Sequence, residues 1–129
     1  MRKLLILFVL ALSATALTAV SSAPAQGRPE VLKRGTCSGS TTWKLKLKHD
    51  DGRIEAEFEV DQNVVGKRWN VVLRRNGAVV FRGIRTTRAP SGSFEARKLF
   101  GNAAGADRVV ATARALGSRE TCRGSASIG

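Results

Sequence analysis

Two runs of strict alternation face each other across one turn. Trp43, Leu45 and Leu47 alternate with Lys44, Lys46 and Lys48, and Ile54, Ala56, Phe58 and Val60 alternate with Glu55, Glu57 and Glu59. Period two marks a strand with one face buried. Between the runs lies Asp51-Gly52, a pair favoured in two-residue hairpin loops. Setting the loop there fixes the register: Lys48 opposite Glu55, Lys46 opposite Glu57, Lys44 opposite Glu59. On the other face Leu47 meets Ala56, Leu45 meets Phe58 and Trp43 meets Val60. A slip of one residue would set lysines against apolar side chains, so turn chemistry and pattern specify the same pairing. Each cross-strand pair contributes about 0.2–1 kcal/mol. The lysine–glutamate ladder reads as solvated structural pairing.

The same period continues along the chain. A second hairpin is expected from Arg68 to Thr87 around Asn76-Gly77. A two-residue loop would oppose Val71 to Arg82. A three-residue loop, Arg75-Asn76-Gly77, sets Leu73 against Val79, Val71 against Phe81 and Trp69 against Gly83. It is preferred for its single apolar face, and as a type I turn closed by a left-handed glycine. Arg88 to Gly92 is a loop by composition. Ser93 to Leu99 reads as a fifth strand with Phe94 and Ala96 inward. Arg108 to Leu116 reads as a sixth, with Val109, Ala111 and Ala113 inward. After Gly117-Ser118-Arg119 comes a last strand, Glu120 to Ile128, with Cys122, Gly124, Ala126 and Ile128 on one face.

Seven short strands with regular turn signals and no convincing helix indicate an all-β, seven-stranded antiparallel sandwich of the immunoglobulin or fibronectin type. Tight hairpins keep the first two strands in one sheet and the third and fourth in the other. The expected arrangement is strands 1, 2, 5 against strands 4, 3, 6, 7.

The chain begins Met1-Arg2-Lys3, followed by an apolar run from Leu4 and by small residues at Ala23-Pro24-Ala25. The run is long enough for a membrane span. Ser13, Thr15 and Thr18 interrupt it, however, and no basic stop-transfer flank follows. It is read as a signal peptide over residues 1–25, cleaved after Ala25. Residues 26–34 mix Pro, Gly and charge without period and are expected to form a loose arm ahead of a sandwich domain over 35–129. Cys37 and Cys122 are the only cysteines. Outside the cytosol such a pair oxidises, so one disulfide is expected. The expected location is secreted, with no lipid anchor.

Several segments stand in a recognisable order: Cys-Ser-Gly-Ser, Trp-Lys-Leu, Asp-Asp-Gly-Arg-Ile, Arg-Trp, Leu-Arg-Arg-Asn-Gly, Val-Phe-Arg-Gly, Arg-Ala-Pro-Ser-Gly-Ser-Phe, Gly-Ala-Asp-Arg and Thr-Cys-Arg. This order, from Cys37 to Ile128, resembles a group of small exported proteins of high-GC Gram-positive bacteria. The resemblance implies export and a sandwich fold. It brings no functional residues.

Charge is distributed unevenly. Residues 26–66 hold 7 basic and 7 acidic side chains, whereas residues 67–129 hold 13 basic and 3 acidic. Alternation places Arg68, Arg74, Arg82, Arg108, Arg114 and Arg123 on outward positions of strands 3, 4, 6 and 7. Val72, Val80, Ile84 and Val110 share that face, and the nearest acid is Glu120. Arginines with exposed aliphatics and little opposing charge make a recognition surface for an anionic partner. Their field concentrates anions at low salt. The rival reading is a solvated face, or apolar positions covered by the arm or by a second copy of the chain.

Catalytic motifs are missing. The single histidine, His49, stands beside Asp50 and Asp51 at a hairpin tip, where turn chemistry accounts for the aspartates. No metal site, cofactor or Gly-x-Ser-x-Gly elbow is read. There is no tyrosine, and both tryptophans fall on core-facing positions, which disfavours base stacking and sequence-specific nucleic-acid binding. The expectation is a non-enzymatic binding module for an anionic cell-envelope polymer or an acidic protein. The alternative is a structural, self-associating protein.

Overall fold

The computed structural model describes residues 29–129, together with residue 16 and residues 18–20. Apart from those four positions the expected signal peptide lies outside the described residues, as do residues 26–28 of the expected arm. Eight strands follow in order: β1 (Glu30–Thr36), β2 (Thr42–Asp50), β3 (Arg53–Asp61), β4 (Arg68–Arg75), β5 (Ala78–Thr86), β6 (Ser93–Gly101), β7 (Asp107–Ala115) and β8 (Thr121–Ile128). They form two antiparallel four-stranded sheets, ordered β1-β2-β3-β6 and β5-β4-β7-β8. The seven expected strands are β2 to β8, in the expected sheets.

The eighth strand corrects the expected loose arm. From Glu30 to Thr36 the chain pairs with β2, Val31 opposite Leu47 and Gly35 opposite Trp43. Only Val31 offers β1 an apolar side chain on its core-facing side. Period two is therefore too faint to read there, and the partner strand supplies the order.

The β2–β3 register is the one required by Asp51-Gly52, from Lys48↔Glu55 through Trp43↔Val60. The β4–β5 register differs from the expected three-residue loop. Arg75 pairs with Ala78, leaving Asn76-Gly77 as a two-residue turn with both φ values positive, 48° and 86°. A bulge then shifts the register between Leu73 and Arg74, so that Leu73 faces Phe81, Val71 faces Gly83 and Trp69 faces Arg85. The twist of such a turn suits a hairpin, and the extra residue of the bulge restores a single apolar face. It also turns Val80 against the core, which removes Val80 from the outer face where alternation had put it.

The core lies between the sheets. Leu45, Leu47, Ile54, Phe58 and Val60 from the first sheet meet Trp69, Val71, Leu73, Val109, Ala111 and Ala113 from the second, all fully buried. Burying each of the larger side chains contributes roughly 1.5–3 kcal/mol. Cys37 and Cys122 form the expected disulfide, joining the loop after β1 to β8 across 85 positions. Beside it, the Trp43 indole lies between two glycines. A Cβ on Gly35 would stand 2.6 Å from Trp43 Cζ2, and one on Gly124 2.5 Å from Cζ3. Three edge strands carry a cation on their core-facing side: Lys33 of β1 opposite Leu45, Lys98 of β6 opposite Ala56, and Arg85 of β5 opposite Trp69. Among the described residues no helix is long and apolar enough to cross a membrane.

Candidate functional site

The two sheet exteriors have opposite electrostatic characters. On the first, cations and carboxylates alternate across strands and pair. Lys44, Lys46 and Lys48 reach Glu59, Glu57 and Glu55 at 3.5, 2.9 and 3.4 Å. Arg97 on β6 reaches Glu55, Glu57 and Glu95. A hydrogen bond from Glu55, followed by the approach of Lys46 and Arg97, holds the Glu57 carboxyl down to about 2, against its burial. The same hydrogen bond and burial raise Glu55.

The second exterior is unpaired. Arg68, Arg74, Arg82, Arg108, Arg114 and Arg123 are all exposed on it, as alternation requires. Among the described residues none of the six forms an ion pair. The acids of this half of the chain are engaged elsewhere. Asp107 points inward, fully buried, and binds Arg75 Nε at 2.7 Å, while the Arg75 guanidinium lies over the Phe100 ring. Glu120 turns toward the β1–β2 loop, where Oε1 accepts the Thr41 N–H at 3.0 Å. The described part of the arm does not cover the face either, since Glu30 to Thr36 belongs to the opposite sheet.

Register arranges the six arginines further than alternation could. Asn70 pairs with Arg114, and Thr112 with Arg123, so Arg68, Arg114 and Arg123 step diagonally across β4, β7 and β8. Val72 pairs with Arg82 and Arg74 with Val110, and the Asn76 N–H donates to the Arg108 carbonyl oxygen, so Arg82, Arg74 and Arg108 form a second diagonal across β5, β4 and β7. The two rows run parallel. Between them lie two neutral diagonals, one polar (Thr86, Asn70, Thr112, Ser125) and one mostly aliphatic (Ile84, Val72, Val110, Ser127). From a strand spacing of about 4.8 Å and a rise of about 3.3 Å per residue, neighbouring arginines in a row lie about 8 Å apart at Cα and the rows about 12 Å apart.

A groove of about 390 Å³ opens in this face, lined by residues of both rows (Arg74 and Arg108 of one, Arg123 of the other) with Val110, Thr112 and the Asn76-Gly77 turn. The Arg108 backbone is fixed there, its N–H donating to Asn76 Oδ1 at 2.8 Å. Such a surface can hold oxyanions by bidentate, charge-assisted hydrogen bonds. Asn70, Thr112 and Ser125 carry no signal of this role in the sequence. Their place between the rows depends on pairing between β7 and its neighbours, which no tight turn announces.

His49 sits at the end of β2 with Nε2 at 3.2 Å from the Gly129 carbonyl oxygen. Among the described residues no group of three or more His, Cys, Asp or Glu could hold a metal ion. Comparison with known proteins finds no matching family model, curated protein or solved structure.

Proposed function

We propose that this chain is an exported, non-enzymatic binding module built as an immunoglobulin- or fibronectin-type sandwich. In this reading the β5-β4-β7-β8 exterior holds an anionic cell-envelope polymer or an acidic protein. One observation carries it: among the described residues the six exposed arginines on one sheet exterior have no carboxylate partner, while the ladder on the other sheet is paired. A solvated face serving solubility needs no such segregation, because interspersed charge serves as well. The signal-like start and the Cys37–Cys122 bridge support export.

The test is retention on a phosphocellulose column under a salt gradient. The wild-type chain is expected to be retained at low salt and released steeply as salt rises. The Arg74→Gln/Arg82→Gln/Arg114→Gln/Arg123→Gln variant is expected to flow through with unchanged circular dichroism. Equal retention of the folded variant removes the reading. A second reading, self-association, draws on Val79 and Ile84, which are 44% and 41% exposed on β5 beside the arginines. Sedimentation at rising concentration decides it, and a strict monomer eliminates it.

A further inference from the structure

Six cations on one face specify an anion; their layout specifies its shape. We infer that the partner is a linear polymer of repeating phosphate-type oxyanions whose chain lies along the neutral diagonal between the two arginine rows. This rests on the anion-binding reading above and narrows it to one ligand class and one path. The path runs from Ile84 and Thr86 on β5, over Val72 and Thr112, to Ser125 and Ser127 on β8. From the strand spacing and rise it is about 25 Å long.

Three features select an extended chain. Each row holds three arginines at near-regular steps, Arg68-Arg114-Arg123 and Arg82-Arg74-Arg108, which a repeating anion can match and a compact one cannot span. The floor between them carries hydroxyls, one amide and aliphatic side chains but no charge, so the neutral glycerol or sugar units that link the phosphates rest there without leaving a buried ion unpaired. The groove among Arg74, Arg108, Arg123, Val110 and Thr112 lies on this path and is open to both rows. The residue type fits as well: guanidinium presents a planar fork to phosphate oxygens. A folded acidic protein fits less well. Protein surfaces intersperse both signs, and this face offers no carboxylate to a partner's lysines.

Chain length is therefore the variable to test. Three probes are titrated over a salt series: long-chain polyphosphate, tripolyphosphate and calcium-free calmodulin. Two variants are compared with wild type, Arg68→Gln/Arg114→Gln/Arg123→Gln and Arg82→Gln/Arg74→Gln/Arg108→Gln, each checked for an unchanged melting temperature. Long-chain polyphosphate is expected to bind well above tripolyphosphate at equal phosphate concentration. With all six arginines engaged, its log K against log salt should slope at about −4, and either variant should bring this to about −2. Binding that ignores chain length, or that survives loss of one entire row with its slope intact, overturns the inference. Preference for calmodulin overturns it too, and points to an acidic protein. In these three cases arginine-dependent anion binding stands. If no anion is bound in an arginine-dependent way, the functional reading itself falls.

Discussion

Replacing Gly124 by alanine exchanges a hydrogen for a methyl group at a place where there is no room for it. The new Cβ would lie 2.5 Å from Trp43 Cζ3 and 2.8 Å from Cε3 and Cη2. The indole cannot retreat, because its other side rests on Gly35, where a Cβ would meet Cζ2, Cε2 and Nε1 at 2.6 to 2.8 Å. Neither glycine has the positive φ that would make alanine unfavourable by itself. The cost is therefore steric, and overpacking of this kind costs about 1–3 kcal/mol. For a domain of this size that lowers the melting temperature by roughly 4–8 °C per kcal/mol. The assay is urea denaturation followed by far-ultraviolet circular dichroism, with a double-mutant cycle. In a Trp43→Leu background the obstruction is gone, and Gly124→Ala should be neutral or stabilising by about 0.5–1 kcal/mol, since alanine loses less chain entropy than glycine in a strand. The same penalty in both backgrounds, or none in either, would refute the sandwiched-indole account.

Two further outcomes are expected. The Glu57 carboxyl is held at about 2, below its ordinary 4.5, so it contributes stability that is present above the unfolded value and lost as pH falls from 4.5 towards 2. Glu55, raised, acts in the opposite sense, so its contribution is lost as pH rises. Glu57→Gln should therefore flatten the acid limb of stability, read as urea midpoints across a pH series; an unchanged limb counts against the Glu55–Glu57 hydrogen bond. Thr87 is buried, its hydroxyl donating to the Val64 carbonyl at 2.6 Å and accepting the Lys67 N–H at 2.9 Å. Thr87→Val leaves both groups unpaired and should cost about 1–3 kcal/mol, with faster amide exchange at Lys67; protection equal to wild type there argues against this pinning of the β3–β4 loop.

The register of β2 with β3 was legible in the sequence because Asp51-Gly52 and the lysine–glutamate alternation demand one pairing. The second hairpin was not. Asn76-Gly77 suits loops of two or three residues, and the choice is made by Val80 and Phe81 packing on the core through a bulge, a tertiary event. β1 gives almost no signal because an edge strand needs apolar residues on one side only, and Glu-Val-Leu-Lys-Arg-Gly-Thr supplies one on that side. All six arginines fall outward as alternation required, since the bulge that turns Val80 inward reverses none of them. Their two diagonal rows could not be read, because they depend on how β7 aligns with β4 and β8, and those partners are joined by longer connections. For the same reason the turn of Glu120 toward Thr41 was hidden.

The cations under the sheet margins also bear on how copies of this chain meet one another. A strand added beside β1, β5 or β6 would trap Lys33, Arg85 or Lys98 against an incoming backbone, and an unpaired buried charge is costly. Those three borders resist growth into fibrils or accidental dimers. β8 has no such guard, because Cys122, Gly124, Ala126 and Ile128 occupy its inner side. That border is instead tied down by the loop after β1, through the disulfide and through the Ser38 N–H, which donates to the Thr121 carbonyl oxygen at 2.9 Å.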